Sequence, residues 1–200
     1  MKIIDLKCQK NNNYSEIENK YKDLIHKAKE YMQDTTDHEH DINHMYDVVN
    51  YTKELLNLIT LDVNKEVCII SAYWHDVGRI KVNESHEKLS AQMLKEEMMK
   101  SGYDNKLVNK CCLAIENHKW NMSHTTTEGL IVKDADKLAW IGIGRWKSCL
   151  ENHQNLNSII QLLPKLKNEI LYFNESKVLY DRDIVKLVEL LYNINLRKEE

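Results

Sequence analysis

From Tyr14 onward, apolar residues return at helical spacing. Ile17, Tyr21, Leu24, Ile25, Ala28 and Met32 form the stripe of one amphipathic helix, and residues 1–13 before it read as a loose leader. The polar stretch QDTTDHEHDIN interrupts the pattern. A second helix is predicted from about His44, with Val48, Val49, Leu55, Leu56 and Ile59 facing inward. After a turn at Asp62 to Asn64 comes VCIISAYW, apolar throughout, which suits either a buried strand or a buried helix. Its helical surroundings favour a helix that stops near Gly78. Leu89, Met93 and Leu94 mark another helix, closed by Ser101-Gly102, and Leu107, Val108, Cys111, Cys112 and Ile115 mark the next. Thr125-x-x-Glu128 resembles a capping box opening a helix through Leu130, Ile131, Leu138 and Ile141. Pro164 is expected in the first turn of a late helix. The segment DIVKLVELLYNINL closes the bundle with Ile184, Leu187, Val188, Leu191 and Ile194.

Composition sharpens this pattern. The chain has 200 residues, enough for one sizeable core, and one domain spanning residues 1–200 is expected. Only five Gly and one Pro are present, which leaves little material for the tight turns of a sheet and favours an all-α bundle. A net charge of −3 without long Lys or Arg runs argues against nucleic acid as the main partner. No stretch reaches the apolar length of a membrane span, and the first residues lack an apolar signal core, so a cytoplasmic location is expected. Cys8, Cys68, Cys111, Cys112 and Cys149 show no CxxC spacing and read as reduced thiols rather than metal ligands. Nothing in the pattern sets an oligomeric state.

The informative residues are polar ones placed where the pattern wants core or helix ends. His75-Asp76 directly follows VCIISAYW, and a buried carboxylate there is costly without a compensating charge. A divalent cation (Mn, Fe, Co, Ni, Zn or Mg) would compensate it, since imidazole nitrogen and carboxylate oxygen are suitable ligands. Adjacent helical residues project about 100° apart. His75 and Asp76 can therefore share one ion only near a helix end, or with Asp76 bridging two ions. His44 stands at the start of one amphipathic helix, and Asp136 lies mid-helix among apolar neighbours in IVKDADKLAWIG. Asp134, two residues away, points to another face. His86 opens a helix in NESHEKLSA, and His118 closes one in AIENHKW. His26, His38, His124 and His153 are assigned to the surface; His40, one turn before His44, stays ambiguous.

The order H…HD…H…H…D is more specific than its parts, and it resembles the HD-domain superfamily of metal-dependent phosphohydrolases. His44 in HDINHMYDVVNYTKEL is similar to that family's first histidine, His75-Asp76 in SAYWHDVGR to its doublet, and Asp136 in VKDADKLAWIG to its closing aspartate. His86 and His118 resemble the extra histidines of members with an extended site. The resemblance covers roughly residues 40–146. It implies an all-helical fold and hydrolysis of a phosphate ester or phosphoanhydride, often a nucleotide or other small phosphorylated metabolite, by a metal-activated water. The Gly-rich extension of one bacterial branch is shortened here to LAWIGIGRW, and the GYP motif of the cyclic-dinucleotide phosphodiesterases is missing, so neither branch's substrate is carried over.

The resemblance implies a metal at His44, His75, Asp76 and Asp136. His86 and His118 would either hold a second ion with Asp76 bridging, or contact phosphate and supply a general acid. Arg79 is the first candidate to stabilise phosphoryl charge, followed by Lys137, Lys119 and Arg145. Arg145 is alternatively a structural partner of a Glu or a helix end. Glu116 is a candidate base, and Asp134 a candidate to orient a ligand histidine. The rival readings are a catalytically silent metal- or nucleotide-binding regulatory module and a di-iron oxygenase on the same scaffold.

Overall fold

A computed structural model describes residues 14–33, 35–119, 121, 126–152 and 157–196. Cys8, His124, Thr125, His153, the leader 1–13 and the side chain of Ile194 lie outside the described residues. Among those described, every regular element is helical. The elements are α1 (Ser15–Lys20), α2 (Lys22–Gln33), α3 (Ile42–Leu58), α4 (Lys65–Trp74), α5 (His86–Lys100), α6 (Asn105–Glu116), α7 (Thr127–Leu138), α8 (Ile143–Glu151), α9 (Asn157–Lys165) and α10 (Asn174–Leu196). Short 3₁₀ turns follow α4 (Val77–Ile80) and α7 (Ala139–Ile141).

The centre of the bundle is α4, wrapped by α2, α3, α6 and α7. Every residue from Val67 to Trp74 is buried, which explains why VCIISAYW shows no polar face. Asn64 caps its start by accepting from the Val67 N–H at 3.2 Å, and Trp74 Nε1 donates to the Leu24 carbonyl at 3.2 Å. Asp41 caps α3, its Oδ1 accepting from the N–H groups of Asn43 and His44 at 2.8 and 3.1 Å. That cap sets His44 in the first turn of α3, with its ring turned into the core.

Several sequence expectations are corrected. The stripe from Tyr14 to Met32 is bent at Tyr21 into α1 and α2, although Tyr21 N–H still reaches the Ile17 carbonyl at 3.1 Å. The bend brings the buried Tyr21 hydroxyl onto Glu66, to which it donates at 2.7 Å. The cap of α7 is Thr126, which accepts from Gly129 N–H at 3.0 Å, while Glu128 accepts from Asn64 N–H at 3.0 Å and ties α7 to the start of α4. Pro164 lies in the last turn of α9, followed by a wide π turn over Leu166–Ile170. In a first turn the missing proline N–H costs nothing, but in the last turn it removes a ladder bond, and the helix there widens into the π turn. Val188 faces outward, because the side of α10 that carries Asp183 and Leu187 is the one turned inward, with Asp183 accepting from the Tyr51 hydroxyl at 3.1 Å.

Asp134 points away from the histidines. Its carboxylate accepts from Tyr172 N–H, Phe173 N–H and the Ser176 hydroxyl, and it pairs with Lys133 at 2.8 Å. It anchors the start of α10 on α7 and orients no ligand histidine. No helix among the described residues is long and apolar enough to cross a membrane.

Candidate metal centre

Five elements bring six buried side chains to one place: His44 from α3, His75 and Asp76 from the end of α4, His86 from the start of α5, His118 just past α6, and Asp136 from α7. His75 keeps helical angles (φ −56°, ψ −38°), but Asp76 leaves the helix at φ −110°, ψ 3°. That turn lets two consecutive side chains face one centre, which a continuing helix would not allow. Gly78 then passes close under α5, donating its N–H to Ser90 Oγ at 2.8 Å. Ser85, with a left-handed φ of 56°, precedes His86.

Three rings are oriented in the same way. Nδ1 of His75, His86 and His118 lies 2.8, 3.0 and 2.6 Å from the carbonyls of Ala72, Asn83 and Ile115. Each Nδ1–H donates to the backbone, so each Nε2 is turned toward the centre.

Asp76 divides the set. Its Oδ2 lies 3.6 and 3.5 Å from Nε2 of His44 and His75; its Oδ1 lies 3.0 and 3.6 Å from Nε2 of His86 and His118. Asp136 Oδ1 is 3.3 Å from His44 Nε2, and the Nε2 atoms of His44 and His75 are 3.3 Å apart. Two three-ligand groups result, His44–His75–Asp136 and Asp76–His86–His118. Asp76 Oδ1 and His86 Nε2 lack a hydrogen-bonding partner, as does His44 Nδ1. The first two face one another at 3.0 Å with neither meeting hydrogen-bond geometry, and a cation between such nitrogen and oxygen donors would satisfy both. The donor set therefore fits divalent metal ions.

Burial holds His44 and His75 down to about 4, so both rings are neutral near pH 7 and available as ligands. Burial alone would raise the carboxyls of Asp76 and Asp136. Arg79 and His75 beside the first, and Lys137 and His44 beside the second, outweigh it and hold both well below the ordinary range. A pH dependence follows for chelator-treated protein. Unfolding restores His44 and His75 to about 6.5, so between pH 6.5 and 4 the unfolded chain binds more protons than the folded one. Stability should be full above pH 6.5 and fall as pH drops toward 4, on the order of 1 kcal/mol per pH unit for each ring. Urea denaturation across that window measures it, and a flat profile would contradict the burial of these rings.

The cluster opens on a cavity of about 370 Å³ lined by His40, Arg79, His86, His118, Lys119, Asp136, Lys137, Trp140, Arg145 and others. Arg79 Nε lies 3.0 Å from Asp76 Oδ2, Lys137 Nζ 2.6 Å from Asp136 Oδ2 and Lys119 Nζ 2.7 Å from Glu87 Oε2. Arg145 Nη2 donates to Glu39 Oε2 at 3.3 Å. Glu116 is exposed and does not line this cavity. His26 is on the surface, and none of the described cysteines belongs to either ligand group. His40 does line the cavity, its Nδ1 on Asp37 Oδ2 at 2.8 Å and its ring centroid 5.4 Å from that of His44. The roles of Asp37, Glu39 and Glu87 were invisible in the sequence, because each is an ordinary acidic residue in a polar stretch.

The family model of the HD domain matches residues 41–141, about half of the chain, from the cap of α3 to the turn after α7. The chain belongs to the HD domain family. Two solved structures share the fold. A predicted HD superfamily hydrolase from an uncultured Thermotogales bacterium is 20% identical with a TM-score of 0.66, covering 92% of this chain and 98% of that one. Bacillus subtilis YpgQ in complex with ADP is 16% identical with a TM-score of 0.62, covering 92% and 96%. Comparison with curated proteins gives no significant match.

Proposed function

We propose that this HD-domain protein is a divalent-metal-dependent phosphohydrolase acting on a phosphate ester or phosphoanhydride of a small phosphorylated metabolite such as a nucleotide. The observation that carries the reading is Asp76, whose two oxygens face separate pairs of inward-turned imidazoles. His44, His75, Asp76 and Asp136 would hold one ion, and Asp76, His86 and His118 a second. Such ions lower the pKa of water and offset negative charge on a phosphoryl group. The chain's own contribution is a cationic wall of Arg79, Lys119, Lys137 and Arg145, with Trp140 and Leu162 as the apolar part of the same cavity. The ADP bound by the YpgQ relative supports a nucleotide as the substrate type. The whole chain acts as one domain, a view supported by an apolar cluster running from Tyr14 to Leu187.

The test is elemental analysis of protein purified without chelator, followed by a panel of nucleotides and phosphate esters with Mn, Co, Ni and Mg. Hydrolysis should vanish with chelator and return with metal. His86→Ala should cut turnover yet keep about one metal equivalent, since the other group with Asp76 remains intact. A metal-loaded wild type inert across the panel would point instead to a silent binding module. A His86→Ala protein that purified metal-free would show the ligand groups drawn incorrectly.

A further inference from the structure

Three of the four cations at the cavity are engaged with carboxylates at or beside the cluster: Arg79 with Asp76, Lys137 with Asp136 and Lys119 with Glu87. Arg145 is paired away from the cluster, with Glu39 through Nη2. It is 2% exposed, and two of its buried guanidinium nitrogens, Nε and Nη1, lack a hydrogen-bonding partner, where Arg79 has one such atom, Nε. A buried guanidinium with open donors is costly, and an anion with several oxygens is the acceptor that matches its planar fork.

The two partners are held very differently. Arg145 sits in the first turn of α8, its backbone N–H donating to Asp47 Oδ2 at 3.1 Å. Gly142 makes that approach possible, because a Cβ there would lie 2.4 Å from the same oxygen. Glu39 belongs to the turn before α3, and its side chain is 25% exposed. The arginine is fixed, whereas the glutamate can swing into solvent.

We propose that Arg145 binds a second phosphate of the substrate, adjacent to the one held at the metal cluster, and that Glu39 occupies this place when substrate is absent. The inference rests on the phosphohydrolase reading and narrows it: the substrate class is a diphosphate or longer phosphoanhydride rather than a monoester. Glu39 is then an internal competitor, so the two partners of one ion pair have opposite effects on affinity. A purely structural ion pair has no such asymmetry.

The experiment is calorimetric titration of manganese-loaded protein with methylenediphosphonate and with phenylphosphonate, neither of which is hydrolysed. Chelation of free manganese is common to all variants and cancels in their comparison. Wild type should bind the diphosphonate more tightly. Arg145→Lys should weaken the diphosphonate by about 10- to 100-fold, more than it weakens the phenylphosphonate. Glu39→Gln should strengthen the diphosphonate several-fold. In turnover, Arg145→Lys should lower the ratio of kcat/KM for a nucleoside diphosphate to that for the monophosphate by at least about tenfold. Equal weakening of both phosphonates, or weaker diphosphonate binding by Glu39→Gln, overturns the proposal. Should Arg145→Lys fail to fold, Glu39→Gln, altered at a part-exposed position, decides alone. A wild type that binds and hydrolyses only monophosphates sinks this proposal and leaves the phosphohydrolase reading standing; a wild type that handles no phosphate sinks both.

Discussion

Asp76→Asn should lower kcat/KM on any phosphate substrate by more than about 100-fold, the upper end of what loss of an outer ligand partner alone costs. It should also leave one bound metal equivalent at most. The amide keeps the volume of the side chain but has one oxygen where two faced separate imidazole pairs. Loss of the carboxylate should also change stability, through its ion pair. The carboxylate is paired with Arg79 at 3.0 Å, and the Arg79 side chain is only 19% exposed. Removing the carboxylate strands that guanidinium, so chelated Asp76→Ala should be less stable than chelated wild type by roughly 1–3 kcal/mol, below the cost for a fully buried pair. Metal content, turnover and melting with and without chelator separate these effects. A folded Asp76→Asn protein with undiminished hydrolysis would refute the mechanism.

Gly78→Ala should be the most damaging single-methyl change near the site. A Cβ at Gly78 would stand 2.4 Å from the His86 carbonyl oxygen and 2.8 Å from the Ser90 backbone nitrogen. Both are backbone atoms of α5, so no side-chain rotation relieves the overlap, and the whole start of α5 must move. Overpacking of this kind costs about 1–3 kcal/mol and occasionally more, and the rigid backbone puts this site at the upper end. For a chain of this size the melting temperature should fall by about 5–12 °C. Displacement of α5 carries His86 away from Asp76, so the Asp76–His86–His118 group should lose its ion while His44–His75–Asp136 keeps one. Thermal melts and metal stoichiometry read the two consequences together. Wild-type stability with two bound equivalents would show that α5 does not approach as closely as described.

The bundle was legible because its information is local. Apolar spacing along α3, α5 and α6, and the uninterrupted apolar run of α4, report burial directly. Errors arose where a local signal had several physical realisations. Pro164 suits either end of a helix, and the competing Thr residues before Glu128 suit several caps. The two acidic residues of KDAD show both sides of this limit. Their spacing already turns Asp134 away from the face of Asp136, but it does not name a partner: Asp134 anchors the backbone at Tyr172 and Phe173 rather than orienting a histidine, while Asp136 faces His44.

By itself the sequence determined the helical class and the set of histidines and aspartates with no cheap explanation in an apolar context, because pattern and desolvation cost are properties of a residue and its near neighbours. Only the tertiary structure decided how those residues divide. The split of Asp76 between two imidazole pairs, the pairing of Arg79 with it, and the open donors of Arg145 beside Glu39 join residues that are distant in the chain or turned by a helix end. Such relations depend on the direction of each side chain within a packed core, which spacing along the chain does not encode.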